Sequence, residues 1–156
     1  YVFNTKEDDT MEKMIKTELG TIQKERVEKM QFLYMEVAND PESQRKAWPK
    51  FEAHFPSLSG RKMYGLDYDD SKVYRVCSLV LDKDNGETYG LDQFEFEGGD
   101  YMRLRLNFEP PKLYEKIGPA YGLLIGKYED VIDWSLPFIE QYKAKNILDI
   151  MIPVKE

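Results

Sequence analysis

The sequence is poor in the residues from which metal and redox sites are usually built. Its 156 residues include one cysteine, Cys77, and one histidine, His54. A single cysteine excludes a disulfide within the chain and any zinc site made of several thiolates, and a single histidine excludes zinc sites made of several imidazoles. We therefore expect no metal and no cofactor.

Motifs that signal phosphate binding or nucleophilic catalysis are also absent. Neither GxGxxG nor GxxxxGK[ST] occurs, and there is no GxSxG. Cys77 lies in an apolar run and is expected to be a buried, unreactive thiol. His54 lacks the partners of a catalytic triad, so we assign no catalytic residue and do not expect an enzyme.

Excess positive charge and long apolar runs are missing as well. Lys and Arg number 22 against 29 Asp and Glu, which gives a formal charge of -7. Direct binding of nucleic acid is not expected, because it needs clustered positive charge. No apolar stretch approaches the roughly 20 residues of a membrane span, and the first ten residues lack the apolar core of a secretion signal. We expect a cytoplasmic protein that does not bind membranes.

The chain has the length of one domain with its own core. We divide it into an N-terminal extension, residues 1–22, and a domain, residues 23–156. In the extension, Met11, Met14, Ile15 and Leu19 have helical spacing. This spacing is compatible with a short amphipathic helix and with an irregular linker, and both interpretations are kept.

Apolar patterns in the domain predict strands that alternate with two helical regions. Strands are predicted over 30–38, 62–68, 73–81, 94–97, 101–108 and 147–154. The first helix is expected to start with Asp40 as cap and Pro41 in the first turn, and to kink or restart at Pro49. The second follows Pro110-Pro111 and is expected to divide at Gly118-Pro119. Residues 134–145 are predicted to form a short helix or a loop across the core.

Strand–helix–strand therefore occurs once in each half of the domain. This order predicts an α+β fold with an antiparallel sheet and with helices on one side. The concave junction between two such halves is a natural place for a ligand.

Two features of the sequence bear on the chemistry of such a ligand site. The chain contains 11 Tyr, 8 Phe and 2 Trp, which is consistent with a cavity walled by rings. Glu140 lies among apolar residues in the run PFIEQY, where burial of a carboxylate is costly unless it is paired. Either Glu140 faces water, or it lies at the floor of a pocket and awaits a cation.

Five short segments between about residue 27 and the C-terminus occur in an order that a known family shares. They are Arg61-Lys62-Met63-Tyr64-Gly65-Leu66, Tyr74 to Ser78, Gly98-Gly99-Asp100-Tyr101, Pro137 to Tyr142, and Ile150-Met151-Ile152-Pro153-Val154. In this order they resemble the GyrI-like small-molecule-binding domain, which is also known as the AraC-type effector-binding domain.

The resemblance implies a duplicated strand–helix–strand–strand fold with a ligand cleft between the halves. It implies binding of lipophilic, cationic, multidrug-like molecules, with an acid in the cleft that pairs with the drug's charge; Glu140 matches that acid. The family includes effector domains of transcription regulators, a gyrase inhibitor and hydrolases of cyclopropane-bearing toxins. No DNA-binding helix pair precedes the domain in this chain, so a regulator role would depend on residues outside it.

Three functions are therefore compared. The first is a binding protein for lipophilic cations; its ligand-binding residues are predicted to be Glu140 and the rings of Tyr34, Phe55, Tyr64, Tyr121, Trp134 and Tyr142. The second is a hydrolase of strained electrophiles, in which Glu140 activates water and a tyrosine hydroxyl polarises the leaving group. The third is an interaction module whose acidic surface binds a gyrase, a regulator or another basic or DNA-handling partner.

Overall fold

A computed structural model of the chain describes residues 14–155. In chain order the strands are β1 (Ile15–Lys16), β2 (Thr21–Val27), β3 (Met30–Ala38), β4 (Met63–Tyr68), β5 (Val73–Leu79), β6 (Asp92–Phe96), β7 (Gly99–Asn107), β8 (Phe138–Ala144) and β9 (Ile147–Pro153). The helices are α1 (Pro41–Glu52), α2 (Lys112–Glu115) and α3 (Ile117–Tyr128), and a 3-10 turn covers Asp82–Asp84.

All the strands belong to one antiparallel sheet with the order β1-β2-β7-β9-β8-β4-β5-β3-β6. It contains two strand–helix–strand–strand units: β3-α1-β4-β5, and β7-β8-β9 with α2 and α3 between its first two strands. The two units join where β4 pairs with β8 at the middle of the sheet. The predicted α+β fold with duplicated units is confirmed.

Alternation of side chains along the strands explains why both faces of the sheet are buried. In β9, Leu148 and Ile150 pack under α2 and α3, whereas Met151 points to the opposite face. In β3, Leu33 packs under α1 and Phe32 points away from it. A strand with apolar residues at both parities is typical of a sheet that is covered on both sides.

The opposite face is covered by the bend of the sheet itself. Phe96 of β6 and Tyr101 of β7 have ring centroids 6.4 Å apart, although five other strands lie between β6 and β7 in the sheet order. The sheet therefore curls around one apolar cluster, which also contains Phe32, Tyr64 and Leu66. The two helical regions lie on the other face, and the space between them is the cleft described below.

The first helix starts as predicted. The carboxylate of Asp40 accepts a hydrogen bond from the backbone N–H of Ser43 at 2.8 Å, and Pro41 occupies the first turn. The expected restart at Pro49 does not occur, because α1 continues to Glu52. Arg45 and Pro49 are both exposed, so the Arg45 carbonyl that lacks its helical donor lies near water.

Two other predicted boundaries need correction. Residues 138–144 form strand β8, not a helix or loop. Glu140 obscured its alternation, in which Phe138 and Tyr142 face the helices and Ile139 faces away. The second helical region divides at Lys116 instead of Gly118-Pro119, which lie in the first turn of α3, where proline needs no helical donor.

At the N-terminal side, the described residues show strand structure. β1 and β2 pair with each other, and β2 pairs with β7, so the division drawn between residues 22 and 23 falls inside a strand. Of the residues with helical spacing there, Met11 lies outside the described residues, while Ile15 belongs to β1. Within residues 14–155, no helix is long and apolar enough to span a bilayer.

Candidate functional site

The centre of the sheet holds a buried carboxylate. Glu140 of β8 is paired with Gly65 of β4, at the junction of the two units, and it is 5% exposed. Its side chain points to the face that carries the helices, as do Phe138 and Tyr142 on the same strand. The acid singled out in the sequence is therefore buried and central.

Three tyrosine hydroxyls donate hydrogen bonds to this carboxylate. Tyr74 donates to Oε1 at 2.8 Å and Tyr142 donates to Oε1 at 3.0 Å. Tyr121 donates to Oε2 at 3.1 Å. The donors come from β5, β8 and α3, so both units of the fold contribute to the arrangement.

Among the residues that the structure describes, the carboxylate has no cationic partner. Across residues 14–155, none of the ion pairs involves Glu140. Burial raises the pKa of Glu140 above its ordinary value, and the three hydroxyls offset this only in part; Asp67 raises the pKa further. Burial and the nearby carboxylate also raise the pKa of Tyr74, Tyr121 and Tyr142 well above the ordinary value, so these hydroxyls stay protonated and can donate.

Gly65 provides the space for this network. A methyl group placed on Gly65 would overlap the hydroxyl of Tyr74 and come within 3.0 Å of Oε1 of Glu140. Glycine in the interior of a strand often marks such a close approach. Glycine is needed at this position because there is no room for a side chain, not because the backbone conformation is unusual.

A cleft leads from solvent to the carboxylate. Its inner lobe has a volume of about 560 Å³ and is lined by Glu140, Tyr74 and Tyr142 from the sheet, with Trp48 from α1 and Tyr114 from α2. An outer lobe of about 430 Å³ shares Trp48, Tyr114 and Tyr142 with it. The arrangement places an acid at the base of a cavity that has aromatic walls.

The rings at the cleft are held by packing as well as by hydrogen bonds. Trp48 and Tyr142 meet edge to face, with centroids 5.2 Å apart. Tyr114 is 53% exposed and contributes to both lobes from the opposite side. The Tyr142 side chain is therefore held in place by its contacts, whereas the Tyr114 side chain is exposed to solvent at the edge of the cleft.

The structure brings three of the seven predicted site residues together: Glu140, Tyr121 and Tyr142. Trp134 packs on Phe138, whose ring stacks on Tyr121, and Trp134 does not line either lobe. Trp134 is therefore separated from the Glu140 network by the ring of Phe138.

The other three predicted rings lie elsewhere. Tyr34 and Tyr64 point to the opposite face of the sheet, because they alternate with the residues that face the helices. Phe55 follows the end of α1 and packs on Phe51 and Tyr89. None of the three lines the cleft.

Sequence reasoning missed Tyr74, Trp48 and Tyr114. Trp48 lies in the first predicted helical region, from which Phe55 was chosen instead. Tyr74 lies in a recognised strand, but only the pairing of that strand with β4 shows that it reaches Glu140. Tyr114 is exposed on a helix of four residues and gave no sequence signal.

Comparison with known proteins by sequence gives no match: no family model matches the chain, and neither does any curated protein. Solved structures do match. SAV2435 bound to tetraphenylphosphonium is 16% identical, with a TM-score of 0.63 over 86% of this chain and 93% of that one. The EcmrR C-terminal domain is 13% identical, with a TM-score of 0.63 over 86% of this chain and 97% of that one.

A hydrolase from Listeria innocua is also similar, at 13% identity and a TM-score of 0.53 over 98% of both chains. At such low identity these similarities concern the fold alone. They are consistent with the GyrI-like effector-binding fold that the sequence resembles.

Proposed function

We propose that the chain is a non-enzymatic binding protein for lipophilic cationic small molecules and that Glu140 is their counter-charge. The observation that carries this proposal is the buried carboxylate of Glu140 at the base of an accessible cavity with aromatic walls; in the described part of the chain it has hydroxyl donors but no paired cation. The ligand would occupy the inner lobe.

The physical chemistry of this lobe favours a delocalised cation. Such a cation loses little hydration on entering an apolar cleft, and each well-placed ring contributes about 0.5–2 kcal/mol of attraction. Tyr74, Tyr142, Trp48 and Tyr114 offer such rings around Glu140. Stacking has little directionality, so we expect micromolar affinity for several shapes and no tight specificity.

Two of the similar structures support the same proposal by their fold. One was solved with tetraphenylphosphonium, which is a lipophilic cation, and one is the C-terminal domain of EcmrR. We extend the proposal to a sensing role, in which binding in the cleft is read by a partner or by a further domain. The cleft between the two units is the place where a ligand would change how they contact each other.

The decisive experiment is a calorimetric titration with tetraphenylphosphonium. We expect the wild type to bind it and Glu140→Gln to bind it at least about tenfold more weakly, because the counter-charge is removed while the shape is kept. Glu36→Gln is the matched control: it removes the same charge from β3 on the opposite face, and should leave the affinity unchanged. Equal affinity of the wild type and Glu140→Gln would contradict the proposal.

One observation favours hydrolysis as a second candidate. A carboxylate whose pKa is raised, beside tyrosine hydroxyls and open to a cavity, is a reasonable general base. Against it, all three hydroxyls donate to Glu140 itself, so polarising a leaving group would require one of them to turn away. Incubation with a cyclopropane-bearing electrophile separates the two: ring-opened product indicates hydrolysis, whereas unchanged ligand indicates binding.

A further inference from the structure

The cleft carries a positive charge as well as a negative one. Arg45 of α1 lines both lobes, so any molecule that fills the inner lobe meets Glu140 on the sheet and Arg45 on the helix. In the part of the chain from residue 14 to 155, the guanidinium of Arg45 takes part in no ion pair. The acid and the base of the cleft therefore do not neutralise each other by contact.

For a simple cation this arginine is unfavourable. It places a like charge beside the ligand, on α1, whereas the carboxylate that attracts the ligand is on the sheet. The same guanidinium is well suited to a carboxylate, since its planar N–H donors match the two oxygens. Arg45 thus distinguishes a pure cation from a cation that also carries an anionic group.

The position of that anionic group is limited by Glu52. Glu52 lies two helical turns beyond Arg45 and lines the outer lobe only. A negative group in the outer lobe would face Glu52, whereas Arg45 is the one charged residue among those that line both lobes. The favourable place is therefore beside Arg45, next to the inner lobe.

We infer that the ligand class of this cleft is zwitterionic: an aromatic cation placed over Glu140 that also carries a carboxylate directed at Arg45. The inference rests on the proposed function and adds to it the second charge of the ligand. It predicts selectivity among molecules that share the same cationic core.

Three related probes test it: tetraphenylphosphonium, its derivative with a carboxylate on one ring, and the methyl ester of that derivative. Each is titrated calorimetrically into the wild type and Arg45→Gln near neutral pH. We expect Arg45→Gln to lower the affinity for the carboxylate probe by about fivefold. Its affinity for the ester and the parent cation should stay the same or rise slightly. Arg45→Lys should keep part of the preference, because it keeps the charge and loses the planar donors.

Lys50→Gln is the matched control for net charge. Lys50 is on the same helix and carries the same charge, but it faces the groove between α1 and β3, outside the cleft. It should change none of the three affinities by more than about twofold. Circular dichroism of each variant checks that the fold is kept.

The outcomes separate this inference from the proposal beneath it. If the parent cation and the ester bind in a way that depends on Glu140, but the ratio of carboxylate to ester affinity is the same in Arg45→Gln as in the wild type, the zwitterion inference is wrong and the cation proposal stands. If no probe binds the wild type, the cation proposal fails and this inference fails with it.

Discussion

Two buried carboxylates of this protein have similar surroundings and opposite electrostatics. Asp84, at the 3-10 turn, is 2% exposed and accepts hydrogen bonds from the hydroxyl of Tyr89 and the backbone N–H of Leu81, each at 2.9 Å. It also forms an ion pair with the buried guanidinium of Arg61. Glu140 is also buried and accepts hydrogen bonds from tyrosine hydroxyls, but no arginine between residues 14 and 155 forms an ion pair with it.

The difference appears in the two acids' pKa values. Burial raises the pKa of Asp84, but Arg61, Leu81 and Tyr89 more than offset it, so the pKa lies below the ordinary value. At Glu140 burial prevails over the tyrosines and the pKa lies above the ordinary value. Hydroxyl donors alone do not compensate for burying a charge here, whereas hydroxyl donors with a cation do.

Aromatic rings surround the Arg61–Asp84 pair as they surround Glu140. The Arg61 guanidinium lies 4.2 Å from the centroid of Phe55 and 5.3 Å from that of Tyr89. The Asp84 region therefore contains an acid, a cation and aromatic faces, all supplied by the chain. The Glu140 cleft contains an acid and aromatic faces, and its cation, Arg45, forms none of the ion pairs within residues 14–155. A cation paired with the acid is what the proposed ligand would bring.

The largest expected effect comes from removing Arg61, the cation that pairs with Asp84. Arg61→Met should lower the free energy of unfolding by about 3–5 kcal/mol, because it leaves Asp84 buried without a partner. Urea unfolding measures this. Arg26→Met is the control, since Arg26 pairs with Asp100 at a largely exposed position, and it should cost no more than about 1 kcal/mol. Equal losses would show that the Arg61–Asp84 pair is no more important than a surface pair.

An intermediate effect should follow from filling the gap beside Glu140. Gly65→Ala would push the Tyr74 hydroxyl away from the carboxylate, and we expect a stability loss of about 1–3 kcal/mol together with weaker binding of tetraphenylphosphonium. Gly122→Ala makes the same change on α3, where the added methyl meets open space. It should be neutral or stabilising by up to about 1 kcal/mol. Wild-type stability and affinity in Gly65→Ala would disprove the role given to Gly65.

The smallest effect is the pH dependence of binding. A cation favours ionised Glu140, so affinity for tetraphenylphosphonium should rise as the pH increases through the raised pKa of this group and then level off. Tyr121→Phe removes one hydroxyl donor, which should shift this rise to higher pH and weaken binding by about 1 kcal/mol or less. Titrations at a series of pH values measure both, and a pH-independent affinity in the wild type would argue against Glu140 as the counter-charge.

The two acids should also affect stability in opposite directions. Glu140 has a raised pKa in the folded state, so its contribution to stability is fully present at acidic pH and is lost as the pH rises through that pKa. Asp84 has a lowered pKa, so its contribution is present at neutral pH and is lost as the pH falls through that pKa. Glu140→Gln should therefore be at least as stable as the wild type at neutral pH, which urea unfolding at neutral and acidic pH would check.

The sequence was most informative where the pattern is local. The bounds of β3 and the cap of α1 follow from neighbouring residues, and they are confirmed. Glu140 stood out because an acid between apolar residues is unusual. The same acid hid strand β8, because a charge at the centre of a strand breaks the alternation by which strands are recognised.

What the amino-acid sequence determined by itself was most of the strands, the first helix, a strand–helix–strand order in each half and one acid among apolar residues, all of which depend on residues close together in the chain. Only the tertiary structure decided that Tyr74, 66 residues away, donates to Glu140, that Tyr64 points to the far face, and that no arginine within residues 14–155 pairs with the carboxylate. The reason is physical: strand pairing brings distant residues together, and a shift of one residue sends a side chain to the other side of the sheet.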